Sequence, residues 1–210
     1  MTEPHVPSPG DGVEEGIVRA IRERTSIQPV AGVVLGSGLG DAITVAWERA
    51  GSGEPLEIPY RELPGFPPPT VPGHAGKLWL GTLGEHAVAI FQGRIHFYEG
   101  HPMRLASITT RVSHALGART MVLSAAVGGL DVSLASGSMV VVRDHINLMG
   151  TNPLTDWRYP DGSPAFVDIS GVYDADLSGA AFAILRDRGT AVAEGVYAAM
   201  AGPSYETPAE

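Results

Sequence analysis

Short apolar runs that end in glycine or polar clusters, and alternate with segments of helical spacing, constrain this chain more than any other feature. Residues 30–35 (VAGVVL) are rich in β-branched side chains and stop at Gly36-Ser37-Gly38-Leu39-Gly40, which predicts a buried strand feeding a glycine loop and then a helix. Residues 77–83 and 87–91 flank Gly-Glu-His and predict a hairpin, whereas residues 102–116, with Pro102 near the start and Gly117 after the end, predict a helix. Residues 120–130 and 138–148 each begin as an apolar strand and end in small or polar groups. A helix over 174–188 closing at Gly189 and a strand over 190–200 follow. Ahead of all these, Val13, Ile17 and Ile21 fall at helical spacing behind Glu14 and Glu15, acids that a helix N-terminus favours. This order predicts a single α/β domain over residues 13–210: a central mixed, largely parallel β-sheet flanked by helices. Residues 1–12 read as a flexible N-terminus. The prolines between residues 54 and 73 predict a shaped loop with no regular structure.

Charge and cysteine usage limit the function classes. With a net charge of -9 and only 14 basic residues among 210, no broad nucleic-acid or anionic-membrane surface is available. An anion must therefore meet a local cluster of Arg and His. The chain has no cysteine, which excludes disulfides, thiolate metal sites and a cysteine nucleophile, and suits the cytoplasm. No apolar run reaches the roughly 20 residues of a membrane span.

The cluster is present in Phe91-Gln92-Gly93-Arg94-Ile95-His96-Phe97-Tyr98-Glu99-Gly100. Continued as a strand, this run sends Arg94, His96 and Tyr98 to one side and Ile95 and Phe97 to the other. A forked cation, an imidazole and a phenol suit an oxyanion beside a hydroxyl-bearing substrate, and a phosphate beside a sugar fits that description. A solvated edge strand is the plainer alternative. The 36–40 loop suits a phosphate at a helix N-terminus, with Ser37 adding a hydroxyl, or else is a tight turn. Its G-x-G-x-G spacing departs from the dinucleotide fingerprint, and no P-loop motif occurs. His74 stands in the glycine-flanked loop VPGHAGKL, either functional or ordinary. Asp144 and His145 lack the further ligands of a metal site and read as a structural hydrogen-bonded pair. Residues 124–129 (SAAVGG) offer small residues and backbone donors at a strand end. Tyr205 and Glu206 pair a stacking ring with a carboxylate able to take two N–H donors from a heterocycle.

Taken together, GSGLG, VPGHAGKL, FQGRIHFYEG, RDHINL with its following NPL, and AGPSYETPAE resemble, in order, the signature segments of the trimeric, 6-oxopurine class of purine nucleoside phosphorylases. The resemblance implies a homotrimer that converts a purine nucleoside and phosphate reversibly into free base and ribose 1-phosphate in purine salvage, with no metal or organic cofactor. It implies that Ser37, Arg94, His96 and the backbone at Ala126 bind phosphate, with His74 nearby. Tyr98 then contacts the ribose, Tyr205 packs on the purine, Glu206 binds the base edge, and Phe166 reaches the neighbouring subunit's site. His96, Tyr98 and Glu206 are the catalytic set. Ala125 stands where the family has an asparagine, which leaves open a related methylthioadenosine phosphorylase. The family continues past the position of Glu210, so the resemblance also implies an incomplete domain with exposed apolar surface and poor folding or activity, a catalytically silent form being the remaining alternative.

Overall fold

The computed structural model describes residues 12–68, 70 and 75–209; the expected flexible start, apart from Gly12, and His74 lie outside them. Helix α1 (Val13–Arg22) begins after Gly12, whose φ of 61° a residue with a side chain adopts only under strain. Ile17 and Ile21 of α1 are fully buried. Strand β1 (Ala31–Leu35) runs into the glycine loop, and α2 (Ala42–Ala50) leaves it. Strands β2 (Leu56–Pro59), β3 (Lys77–Leu83) and β4 (His86–Gln92) follow, then α3 (Met103–Ala106), α4 (Ile108–Leu116) and β5 (Thr120–Leu123).

These strands form one mixed sheet in the order β2-β3-β4-β1-β5. The β2-β3 and β3-β4 pairs are antiparallel, the second being the expected hairpin, and β4-β1 and β1-β5 are parallel. Helices α1 and α4 pack on each other on one face, where Ile17, Ile21, Ile108, Val112 and Leu116 meet Leu78, Leu80, Phe91 and Tyr60 in the main core. On the other face Ile43 and Trp47 of α2 pack against Val88 and Ile90. Gly32 is obligatory in β1, because a Cβ there would come within 2.5 Å of both Ser113 Oγ and Met121 Sδ.

The remaining strands, β6 (Met139–Asn147) and β7 (Val192–Ala199), are parallel and pair with each other in a separate two-stranded sheet covered by α5 (Ala175–Asp187). Asp174 caps α5 as the pattern requires, its carboxylate accepting from Leu177 N at 2.9 Å. No helix among the described residues is long and apolar enough to cross a membrane.

Three expectations change. The proline-rich stretch is not wholly irregular: residues 56–59 add an edge strand, where the proline at its end costs no interior ladder bond. The helix over 102–116 breaks at Ser107, whose Oγ donates to Arg104 O at 3.0 Å and competes with the helical ladder. The strand alternation drawn through Arg94, His96 and Tyr98 fails. Gly93 turns the chain at φ 107°, and residues 97–99 close into a 3-10 turn, so Ile95 and His96 are both buried while Tyr98 is 45% exposed.

Candidate active site

The site is assembled from strand ends. Strands β4, β1 and β5 are adjacent and parallel, so the segments leaving their C-terminal ends lie side by side: Arg94 and His96 after β4, Ser37 after β1, Ala126 after β5. That is the end of a parallel sheet at which α/β proteins collect ligands. The middle segment is fastened to both neighbours. Gly36 N donates to Ser124 Oγ at 3.1 Å, and Ser124 Oγ donates to Val34 O at 3.0 Å. A Cβ on Gly36 would stand 2.7 Å from Ser124 O and 2.9 Å from Ala125 Cα, so only glycine lets these backbones approach so closely. On the other side Gly93 N donates to Leu35 O at 3.3 Å, and the buried Tyr60 hydroxyl donates to Gly93 O at 2.8 Å, just ahead of Arg94. Burial pushes the Tyr60 hydroxyl well above its ordinary range, so it stays a donor.

Glu99 governs His96. Its Oε1 accepts from His96 N at 2.7 Å and lies 2.9 Å from Nδ1, while its Oε2 accepts from Thr70 N at 2.8 Å and Thr70 Oγ1 at 2.7 Å. Burial alone would raise the Glu99 carboxyl, but the hydrogen bonds from Thr70 and His96 outweigh it and bring it down to about 2. An ionised carboxylate only accepts, so Nδ1 carries the proton and Nε2 is the ring nitrogen that other partners meet. In the sequence, the i to i+3 spacing of Glu99 from His96, characteristic of a capping box, is the signal for this pair. The ring of Tyr98 stacks on His96 with centroids 4.9 Å apart and planes at 18°.

The second half of the site lies at the C-terminal ends of β6 and β7, where Leu148, Met200, Gly202, Tyr205 and Glu206 line a hollow. The halves meet at Tyr98: a Cβ on Gly202 would lie 3.2 Å from its Cδ1, so the bare backbone of residue 202 lets the Tyr98 ring come against the hollow. Tyr205 is 94% exposed and Phe166 88% exposed. Tyr159 Oη donates to Phe166 O at 3.3 Å. The expected Asp144-His145 pair is only partly as read, since Asp144 Oδ1 accepts from His145 backbone N at 2.8 Å and the imidazole Nδ1 instead meets Tyr173 Oη at 3.0 Å. Among the described residues no group of three or more His, Asp or Glu is placed to hold a metal ion.

Comparison with known proteins gives the chain's family. Residues 31–210 match the model of the Phosphorylase superfamily. Purine nucleoside phosphorylase 1 of Bacillus subtilis is 43% identical over 190 residues, covering 90% of this chain and 68% of that protein. The purine nucleoside phosphorylase of Mycobacterium tuberculosis is 41% identical over 212 residues, covering 100% of this chain and 72% of that protein. The crystal structure of a Schistosoma purine nucleoside phosphorylase in complex with hypoxanthine superposes with a TM-score of 0.82 at 35% identity, over 97% of this chain and 71% of that one.

Proposed function

We propose, from the premise that this chain belongs to the Phosphorylase superfamily and is akin to its purine nucleoside phosphorylases, how its residues divide the work of phosphorolysis. The reaction is the transfer of a pentosyl group from a purine nucleoside to phosphate. A phosphate oxygen forms a bond to C1′ as the C1′–N9 bond breaks, the bonding pair leaves with the purine, and the base takes up a proton. Phosphate is itself the nucleophile, so the protein's task is positioning more than activation. In this reading neither a metal nor an organic cofactor takes part.

The observation that carries the assignment is the adjacency of the three parallel strand ends bearing Arg94 and His96, Ser37, and Ala126. There Arg94 supplies a forked cation, His96 an imidazole held by Glu99, and residues 36–40 a hydroxyl and backbone donors to phosphate. His74 is assigned to the same phosphate. Tyr98, stacked on His96 and reaching Gly202, lies between this group and the hollow, which suits contact with the ribose. Tyr205 and Glu206 take the base, the ring by stacking and the carboxylate by accepting N–H donors. A carboxylate acceptor favours a purine bearing N1–H, hence hypoxanthine and guanine over adenine. As the glycosidic bond lengthens, positive charge grows on the sugar and negative charge on the base; phosphate below and hydrogen bonds at the base edge stabilise each. The exposure of Phe166 supports its assignment to the site of a neighbouring subunit in a homotrimer. The absence of cysteine accords with work in the cytoplasm.

Release of hypoxanthine from inosine by the purified chain tests this reading. Turnover is expected to require phosphate and to fall by about 100-fold or more in Arg94→Ala, as for loss of a transition-state electrostatic partner. Phosphate-independent release, or an unaffected Arg94→Ala variant, would overturn it.

A further inference from the structure

The glycine loop is also held by the side chain of Gln92. Gln92 is the last residue of β4, paired in register with Leu35 at the end of β1 and with Lys77 at the start of β3. Its amide is bound at both ends: Trp79 Nε1 donates to Gln92 Oε1 at 3.0 Å, and Gln92 Nε2 donates to Gly40 O at 3.2 Å. A Cβ on Gly40 would lie 2.8 Å from Nε2, so the loop backbone closes onto the amide at a residue without a side chain.

The chemistry allows one orientation. An indole nitrogen only donates and a carbonyl only accepts, so turning the amide over would set donor against donor and acceptor against acceptor. Trp79 and Gln92 are diagonal neighbours on one face of the β3-β4 hairpin, the face on which Trp79 and Ile90 pack and α2 lies. Trp79 thereby decides which way the Gln92 amide points, and the amide decides where the carbonyl at the exit of the loop points. With Ser124 Oγ on Gly36 N, the loop is tied at both ends, once to β5's continuation and once to β4.

We propose that Gln92, oriented by Trp79, is a positioning residue for the anion-binding loop, holding the Ser37 hydroxyl and neighbouring backbone donors in register with Arg94. The proposal rests on the reading of residues 36–40 as the phosphate loop. Loss of the strap should weaken phosphate without weakening the nucleoside, because Tyr205 and Glu206 stand on other elements.

The test uses Trp79→Phe, which keeps an aromatic ring and removes the N–H, and Gln92→Met, which keeps the length and removes the amide. From the worth of one or two hydrogen bonds, the phosphate KM should rise about threefold in Trp79→Phe and about tenfold in Gln92→Met, with the inosine KM unchanged. Hydrogen exchange at residues 38–41 should quicken in both variants, and that readout needs no turnover. An unchanged phosphate KM, or equal rises in both KM values, would overturn the proposal, as would unaltered exchange. A wild-type chain that exchanges slowly there but takes no inorganic phosphate would instead refute the phosphate reading of the loop, and the strap's functional role with it.

Discussion

At the scale of single residues, Glu99 is the clearest case of chemistry dictated by neighbours. Its carboxyl is lowered from 4.5 to about 2, so the sign of its pH effect is fixed: the group stabilises the fold above pH 4.5 and ceases to do so as the pH falls toward 2. The side chain is 2% exposed, and the corresponding stability at neutral pH is on the order of 3 kcal/mol. Glu99→Gln presents an amide N–H to one of the donors that the carboxylate accepts, from Thr70 or His96. Urea denaturation at a series of pH values should show the variant weaker by about that amount near pH 7, the gap closing between pH 4.5 and pH 2. A gap that stays constant would show that the charge is not responsible. The residues of this cluster were legible in the sequence, since Arg94, His96, Tyr98 and Glu99 were picked out by type. Their geometry was not. Alternation assumes a strand, and Gly93 with its φ of 107° ends that strand before the functional residues begin.

Among elements, α1 is joined to the body by apolar burial, by Arg22, whose guanidinium donates to Leu116 O at 2.7 Å, and by an ion pair. Glu14 Oε2 lies 3.2 Å from Arg111 NH1 of α4, on side chains 20% and 5% exposed, which ties the helix start to its neighbour. Ile17 and Ile21 do the larger share. Ile21→Ala should destabilise the chain by about 3 kcal/mol, read as a lower urea midpoint with little change in slope, because the cavity opens beneath a helix that rigid strands prevent from collapsing. A loss below about 1 kcal/mol would show that α1 relaxes onto α4 freely. Helix α1, the hairpin, α5 and the strands were readable from periodicity and caps. The break at Ser107 and the short β2 were not, because a serine hydroxyl turned back on its own backbone and a proline at an edge strand's end leave no periodic trace.

For the whole molecule, burial is divided unevenly along the chain. Among the described residues every buried side chain lies at or before Ala118, and every residue from 119 to 209 is at least partly exposed. Val122, Leu123, Leu130 and Val132 are among the exposed apolar groups, at 53%, 66%, 83% and 103%. Amides of β1, β4 and α4 should therefore exchange hydrogen slowest, and those of β6 and β7 at least about tenfold faster, as mass-resolved exchange of the purified chain would measure. Equal protection in the two sheets would contradict the division. The chain spans 68% and 72% of the lengths of its Bacillus subtilis and Mycobacterium tuberculosis relatives. The sequence by itself determined the α/β class, the order of elements and the residue types that meet an anion and a heterocycle, because apolar periodicity, glycine and charge act over a few neighbouring positions. Only the tertiary structure decided that Ser37, Arg94 and Ala126 share one end of a parallel sheet, that the Gln92 amide reaches the glycine loop, and that β6 and β7 pair apart from the larger sheet. Those are contacts between residues tens of positions apart, and they follow from strand order, which no local pattern encodes.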